Sequence, residues 1–269
     1  MSLENAAKPL SFFPYLFLPM RENQARTKLQ KGQPIFGVIS PTTDPVITEY
    51  CGLAGFDFYM LDGEHGAITP SNADGMIRAA ESVGITPLAR VRSLDEKLIL
   101  QFMDLGVMGV MMPGCNTAED CEKLVRAMKY PPLGERGLGP VRASDYMLGK
   151  KSQLEYVNFA NEQTLVLPQI EDIKAMDNLE AMCKVKGVDG FVIGPRDLAM
   201  TMGFYDGPAH DEVKKVIDQI FEIVLRHNLV LGTVAATKEQ AQGLIQKGAR
   251  IILNSVAGLL SQSSKAFLS

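Results

Sequence analysis

Short and almost continuously apolar runs recur along the chain, and each is followed by a stretch with helical periodicity. Runs that are apolar at nearly every position are typical of parallel strands that are covered on both faces. Such runs lie at residues 34–40, 57–62, 86–92, 107–113, 164–171, 190–195, 229–235 and 250–255. They predict eight parallel strands.

The stretches between these runs carry the signals of amphipathic helices. Residues 45–54 place their apolar side chains on one helix face, and Pro45 suits a first turn. Thr117 and Thr237 each begin a segment that resembles a capping box before an apolar stripe. Eight such β–α units predict an α/β protein, a single (β/α)8 TIM barrel over residues 20–269. A doubly wound sheet is the alternative, and the lack of a GxGxxG motif disfavours it.

Composition and charge exclude several classes of function. The 269 residues are 46% hydrophobic, which is enough for a large core. The net charge of −4, without a basic cluster, argues against a nucleic-acid partner, and the apolar runs are too short to span a membrane. The four cysteines show no CxxC spacing. We therefore expect reduced thiols in a cytoplasmic protein.

Two segments depart from the regular rhythm. Residues 1–19 contain the apolar stretch SFFPYLFLP without the features of a signal peptide, so we expect an N-terminal extension that packs on the body or on a neighbouring subunit. The second segment, residues 131–163, is long enough to be functional or to contain its own short helix. Its Arg136, Arg142 and Lys150 could contact an anionic ligand or a neighbouring subunit, or the segment could be an exposed excursion.

Polar side chains accumulate where four of the predicted strands end. The carboxyl ends of barrel strands form one face, which carries the chemistry in TIM-barrel enzymes. The residues concerned are Asp62, Glu64 and His65 after the second strand, Arg90 in the third, Gln169 and Glu171 in the fifth, and Gly194, Arg196 and Asp197 after the sixth. Their clustering at one face predicts a functional site.

Each of these residues also has a purely structural interpretation. Arg90 could form a buried ion pair with Asp62. Glu171 and Asp197 could cap the helices that follow them, and a lone histidine such as His65 is more often structural than catalytic. Independent caps have no reason to converge on the mouth of one barrel, so the clustering favours a site.

The types of side chain at this face suit enolate chemistry. Glu171 and Asp197 offer hard oxygen ligands for Mg²⁺ or Mn²⁺, and a bound cation polarises a carbonyl group. Arg90 could stabilise an oxyanion or enolate, and His65 beside Asp62 could act as an acid–base unit. Because no lysine stands at a strand end with a comparable claim, a Schiff-base mechanism is disfavoured. A metal-assisted lyase acting on a 2-oxo acid fits this set of residues.

Several motifs resemble the HpcH/HpaI aldolase family of metal-dependent class II pyruvate aldolases. The motifs are LDGEH (61–65), LARVR (88–92), YPPLGERGLG (130–139), PQIE (168–171) and VDGFVIGPRDLAMTMG (188–203). The resemblance implies a (β/α)8 barrel in a homo-oligomer, a trimer or hexamer, with the C-terminal helix exchanged between subunits. It also implies reversible cleavage of a 4-hydroxy-2-oxo acid into pyruvate and an aldehyde.

The resemblance implies a role for each matching residue in catalysis. Glu171 and Asp197 would bind a divalent cation, Mg²⁺, Mn²⁺ or Co²⁺, together with the 2-oxo acid. Arg90 would contact the 2-oxo oxygen and stabilise the enolate. His65 with Asp62 would transfer protons, through water, during aldol cleavage.

Further residues would bind the substrate. Gln169 would line the pyruvate site, and the backbone amides around Arg196 and Asp197 would hold the pyruvate carboxylate. Gly194 and Pro195 belong to the same substrate-binding turn. Asp104 matches an acid that lies near an intersubunit active site in the family.

Departures from the family pattern leave the acceptor half of the reaction open. Arg196 stands where the family usually has a small residue, and Ile39 stands where it often has tryptophan. The alternatives are related enolate reactions, namely oxaloacetate decarboxylation, a macrophomate-synthase-like addition or a citrate or malyl-CoA lyase activity. A third class is a non-catalytic barrel that binds a 2-oxo acid.

Overall fold

Eight parallel strands form a closed barrel in a computed structural model that describes residues 22–269. Each strand pairs with the next one in the chain, and the last pairs with the first. The strands are β1 (Ile35–Ser40), β2 (Phe58–Asp62), β3 (Thr86–Arg90), β4 (Gly109–Met112), β5 (Leu165–Ile170), β6 (Gly190–Ile193), β7 (Val230–Val234) and β8 (Ile251–Ser255). The predicted (β/α)8 barrel and its eight strands are confirmed. The predicted extension at residues 1–19 lies outside the described residues.

Helices follow the strands and cover the outside of the barrel. They are α1 (Gln24–Gln30), α2 (Pro45–Leu53), α3 (Pro70–Ser82), α4 (Glu96–Leu105), α5 (Ala118–Met128), α6 (Gln153–Gln163), α7 (Leu179–Met182), α8 (Pro195–Thr201), α9 (Asp211–Arg226), α10 (Lys238–Lys247) and α11 (Val256–Leu268). Short 3₁₀ helices span Arg142–Met147 and Ile173–Asp177. None of the helices in the described part of the chain has the length and apolar character that a membrane crossing requires.

The helices begin and end at capping residues that can be recognised in the sequence. The side chains of Thr117 and Thr237 accept backbone N–H groups at the starts of α5 and α10, and Pro45 opens α2. Gly106 and Gly248 end α4 and α10 at φ values of 108° and 114°, which lie in the left-handed region that glycine adopts without strain. The predicted helix starts are therefore confirmed.

Two hydrophobic clusters hold the fold together, one inside the barrel and one between the strands and the helices. The inner cluster is built from inward-facing strand residues, with Ala25 and Leu29 of α1 added at one end. Since strands alternate their side chains, residues two apart on a strand share this interior. We call the end of the barrel closed by α1 the amino face, because the strands begin there, and the opposite end the carboxyl face.

The start of α1 is fixed to the amino face by buried polar contacts. The Asn23 Nδ2 donates to the carbonyl oxygens of Met108 and Gln163 at 3.1 and 2.8 Å, and its backbone N–H donates to the Gln163 side chain. Arg26 forms an ion pair with Asp189 next to it. These contacts within the chain close the amino face.

The long segment between α5 and β5 contains its own helices, which was one of the two alternatives predicted for it. Arg136 donates to the Asp104 carboxylate at 2.9 Å, and Arg142 pairs with Glu81. Both arginines are therefore neutralised within the chain, which removes the main argument that they bind a ligand. Lys150 remains exposed.

The last helix, α11, buries little of its surface against its own barrel. None of the residues of α11 is buried, and Leu260 and Phe267 are 66% and 89% exposed. Beside it an apolar groove of about 380 Å³ is lined in part by Phe36, Phe56 and Ile252. Within residues 22–269, an apolar helix surface and an apolar groove are thus both left uncovered.

Candidate active site

The inward-facing positions of the strands change from apolar to polar towards the carboxyl face. On β2, Phe58 and Met60 belong to the inner cluster, and Asp62 is the next inward position. On β3, Arg90 follows Leu88 in the same way, and the pairing of the two strands sets Asp62 opposite Arg90. The change places a carboxylate and a guanidinium side by side at the mouth of the barrel.

The strands on the other side of the mouth show the same change. On β5, Gln169 follows Leu167 as an inward position and Glu171 continues the alternation. On β6, Gly194 follows Val192. A Cβ atom at Gly194 would lie 2.7 Å from the Gln169 Nε2 and 3.0 Å from the Glu171 Cβ, so a side chain there would displace the Gln169 amide. The turn after β6 therefore packs directly against these two side chains.

Arg90 is held rigidly by acidic groups. Its Nε and NH2 groups donate to the two Asp62 carboxylate oxygens at 2.9 and 2.6 Å, and NH1 lies 3.2 Å from Glu64 Oε2. Burial acts to raise the pKa of Asp62, but the bond to Arg90 and backbone N–H donors outweigh it and lower that pKa below its usual value. The Arg90–Asp62 ion pair considered from the sequence is present, and it fixes the direction of the guanidinium.

The expected pairing of His65 with Asp62 differs from what the structure shows. Asp62 Oδ1 accepts the backbone N–H groups of Glu64 and His65 at 3.1 and 3.2 Å, so the DGEH turn wraps around the carboxylate. This turn leaves the His65 side chain 64% exposed, with its Nε2 3.9 Å from Glu64 Oε2. Asp62 therefore orients Arg90, and Glu64 is the acid nearest to the imidazole.

Glu171 is a half-buried carboxylate close to other acidic groups. Its Oε1 accepts the backbone N–H of Gly114 at 2.9 Å, and its Oε2 contacts the Gln169 amide. Burial, followed by the negative charge of Glu64, raises the pKa of Glu171 to about 7. The following 3₁₀ helix is capped by Asp172. The capping role considered for Glu171 is therefore filled by its neighbour.

The turn after β6 presents Asp197 at the mouth. Pro195, Arg196 and Asp197 form the first turn of α8, and Gly194 occupies the N-cap position without a side-chain cap bond. Arg196 and Asp197 are both exposed. Because Asp197 adds to the electrostatic rise in the pKa of Glu171, its carboxylate belongs to the same cluster. The geometry does not give Asp197 a capping bond.

Two buried oxygen atoms in this cluster make no hydrogen bond. They are Glu64 Oε2, which faces Arg90, and Gln169 Oε1. Burial raises the pKa of Glu64, with further contributions from the carboxylates around it. These two atoms are therefore free to accept a hydrogen bond from water or from a bound ligand.

The donor set fits a hard divalent cation. Glu171 and Asp197 supply carboxylate oxygens from adjacent β–α units, and a cation between them would offset the repulsion that raises the Glu171 pKa. In residues 22–269, no group of three or more His, Cys, Asp or Glu side chains is arranged to hold a metal ion. Water and substrate oxygens would therefore have to supply the remaining ligands, as is common for Mg²⁺.

One predicted site residue lies elsewhere in the chain. Because α4 runs back from the carboxyl face, Asp104 near its end lies at the amino face, where Arg136 binds it. The structure therefore does not bring Asp104 to the other candidates within one chain. Conversely, the backbone of Gly114 contacts Glu171 and had no assigned role, although its place just after β4 was a usable signal.

Comparisons with known proteins agree with this geometry. Residues 36–262 match the family described as HpcH/HpaI aldolase/citrate lyase. The chain is 33% identical over 232 residues to a hydroxypyruvate/pyruvate aldolase of Pseudomonas aeruginosa, covering 86% of this chain and 85% of the relative. It is also 33% identical over 238 residues to a 4-hydroxy-2-oxovalerate aldolase of Novosphingobium aromaticivorans, covering 87% and 88%.

A solved structure shows the same architecture. The crystal structure of an HpcH/HpaI aldolase from Desulfitobacterium hafniense DCB-2 superimposes with a TM-score of 0.84 at 28% identity. The match covers 90% of this chain and 94% of that chain. The chain therefore belongs to the HpcH/HpaI aldolase/citrate lyase family.

Proposed function

We propose that this protein is a divalent-metal-dependent aldolase, a carbon–carbon lyase that reversibly cleaves a 4-hydroxy-2-oxo acid into pyruvate and an aldehyde. The observation that carries the proposal is the convergence of Glu171, Asp197 and Glu64 with an immobilised Arg90 at the carboxyl face. Family membership and relatives named as aldolases support it.

Glu171 and Asp197 are the residues that would hold Mg²⁺, Mn²⁺ or Co²⁺. When bound, such a cation supplies Lewis-acid polarisation of the 2-oxo group. The raised pKa of Glu171 supports this assignment, since a carboxylate crowded by other negative charges gains most from a cation.

Arg90 stabilises negative charge on the 2-oxo oxygen as the carbon–carbon bond breaks. Asp62 and Glu64 hold its guanidinium from two sides, so the group is oriented before the substrate arrives. Asp62 acts as a positioning residue for Arg90. Substituting Arg90 is therefore expected to lower turnover more than substrate binding.

Protons pass through His65. Its exposed imidazole lies between solvent and Glu64 and can remove the 4-hydroxyl proton through a water molecule during cleavage. Gln169 lines the pyruvate site. The turn that begins at Gly194 and Pro195 holds the pyruvate carboxylate with the backbone N–H groups of Arg196 and Asp197, in the first turn of α8.

The functional unit is a homo-oligomer, a trimer or hexamer, in which α11 exchanges between barrels. The uncovered face of α11 and the apolar groove beside it support this arrangement. In such an assembly Asp104 would reach a neighbouring site rather than its own. All four cysteines are free and buried, which supports a reducing compartment such as the cytoplasm.

Release of pyruvate from 4-hydroxy-2-oxo acids tests the proposal directly. Pyruvate release should require a divalent cation, stop with EDTA, and fall at least about 1000-fold in Glu171→Ala and Asp197→Ala. Asp218→Ala is the matched control, because this exposed carboxylate pairs with Lys247 away from the mouth and should leave the rate unchanged. Activity like that of the wild type in either site variant would disprove the metal assignment.

Oxaloacetate decarboxylation is a second candidate, because the same arrangement would stabilise the enolate whichever carbon–carbon bond breaks. Oxaloacetate, aldol substrates and acyl-CoA esters assayed side by side, with matched metal concentrations, separate the candidates. A higher kcat/KM for oxaloacetate than for every aldol substrate would favour decarboxylation.

A further inference from the structure

Three arginines in the described part of the chain have side chains without an ion pair or hydrogen bond: Arg92, Arg126 and Arg196. The other described arginines contact an acid or a backbone carbonyl. Arg126 lies on α5, on the outside of the barrel. Arg92 and Arg196 both follow strand ends, so two of the three unpaired guanidinium groups stand at the carboxyl face.

Arg196 lies at the rim of the candidate active site. It directly precedes Asp197, so their Cα atoms are about 3.8 Å apart. Two residues earlier, Gly194 packs against Gln169 and Glu171 so closely that a Cβ atom would lie 2.7 Å from the Gln169 Nε2. Neighbouring positions on a helix do not face each other, which explains why Arg196 makes no ion pair with Asp197.

The charged groups inside the mouth leave the binding of a second anionic group of the substrate to Arg196. Arg90, the only arginine inside the described cluster, is already bound by Asp62 and Glu64. Three of its five N–H groups face these carboxylates, and the proposed mechanism assigns the remaining donors to the 2-oxo oxygen. A long and exposed cation at the rim can reach the part of a ligand that extends out of the mouth.

We propose that Arg196 selects acceptor aldehydes that carry an anionic group, a carboxylate or a phosphate, at the end remote from the reacting carbonyl. The planar guanidinium binds either group through two parallel charge-assisted hydrogen bonds. The proposal rests on the proposed aldolase function and specifies its substrate class. Arg92 is less well placed, because it lies in the loop after β3, whereas Arg196 directly precedes Asp197 in the first turn of α8.

Matched pairs of aldehydes test this assignment in aldol addition with pyruvate and Mn²⁺. One pair is succinic semialdehyde and butanal, and the other is glyceraldehyde 3-phosphate and glyceraldehyde. The readout is the ratio of kcat/KM between the charged and the uncharged member. The wild type should prefer at least one charged member, and Arg196→Ala should lower that ratio about 10- to 100-fold.

Three further variants make the result specific. Arg196→Lys should retain part of the preference, because it keeps the charge and loses the two-point contact. Arg126→Ala, which removes an equally unpaired arginine from the outer surface, should leave the ratio unchanged. A ratio that falls in Arg92→Ala but not in Arg196→Ala would overturn the assignment.

Other outcomes are equally decisive. An unchanged ratio in Arg196→Ala would overturn the proposal, and a simultaneous change of oligomeric state would assign the arginine to a subunit contact instead. A wild type that joins pyruvate to none of the aldehydes would refute the aldolase function itself. A wild type that reacts equally well with charged and uncharged aldehydes would refute only the role of Arg196.

Discussion

The two faces of the barrel differ in the kind of polar groups they bury: amide and ammonium donors bound to backbone carbonyls at the amino face, and neighbouring carboxylates at the carboxyl face. At the amino face, Asn23 donates to two backbone carbonyls, and the Lys129 ammonium donates to the carbonyls of Asn161 and Thr164 at 2.7 Å each. Burial lowers the pKa of Lys129 to about 8, although Asp189 opposes the shift. These contacts tie α1, α5 and β5 together and close the barrel.

At the carboxyl face the polar groups are crowded but incompletely satisfied. Buried oxygen atoms of Glu64 and Gln169 lack hydrogen bonds, and the Glu171 pKa is raised to about 7. The same inner cluster of apolar residues supports both faces. The comparison indicates that the polar groups of the amino face stabilise the fold. The carboxylates of the carboxyl face repel one another, and a bound cation and substrate can relieve that repulsion.

Among the variants that compare the two faces, Arg90→Ala should have the largest effect. Arg90→Ala is expected to lower kcat about 100- to 1000-fold, with a smaller change in KM, because the contact strengthens as negative charge develops. Steady-state kinetics of pyruvate release measures both constants. Arg78→Ala, which breaks an exposed ion pair with Asp74, should change neither. An unaltered kcat in Arg90→Ala would remove this residue from the mechanism.

The opposite behaviour is expected at the amino face. Asn23→Ala removes buried hydrogen bonds and the cap of α1, so the free energy of unfolding should fall by about 2–3 kcal/mol. Urea unfolding followed by circular dichroism measures this change. The kcat of the folded enzyme should stay near that of the wild type. Asn158→Ala, an exposed position on α6, should shift stability by less than about 0.5 kcal/mol. A large loss of kcat in folded Asn23→Ala would contradict the claim that the amino face serves stability and not catalysis.

The smallest effect concerns the pH dependence of metal binding. A carboxylic acid with a pKa raised to about 7 holds a proton below pH 7, and a cation must displace that proton. Affinity for Mn²⁺ should therefore fall up to about tenfold per pH unit as the pH drops from 7 to 5.5, and level off above 7. Isothermal titration calorimetry of the metal-free protein measures this slope. Glu171→Gln should bind more weakly and lose the slope, and a pH-independent affinity in the wild type would contradict the assignment.

Much of the fold follows from the sequence because barrel strands and their helices are encoded locally. Continuous apolar runs mark the strands, and Thr117 and Thr237 mark helix starts, so element order and barrel closure are predictable. The same reasoning brings Arg90 and Glu171 to one face, because all parallel strands of a barrel end there.

The partners of individual side chains depend on geometry that the sequence does not display. From the sequence, Asp62 could bind either His65 or Arg90. The register between β2 and β3 sets Asp62 opposite Arg90, and the two side chains pair. Asp104 lies at the far end of a helix, so its place near a site would require a second chain. The role of Glu64 follows only from the structure, in which its Oε2 atom lies beside Arg90 and makes no hydrogen bond.

The central claim is that the carboxyl face binds a divalent cation and stabilises the pyruvate enolate. Exchange of the pyruvate methyl protons in D₂O, followed by NMR, tests this claim without any acceptor aldehyde. Exchange should occur with Mg²⁺ or Mn²⁺, stop with EDTA, and be absent in Glu171→Gln. Exchange that persists with EDTA and in Glu171→Gln, or no exchange by the wild type with any divalent cation, would contradict the account.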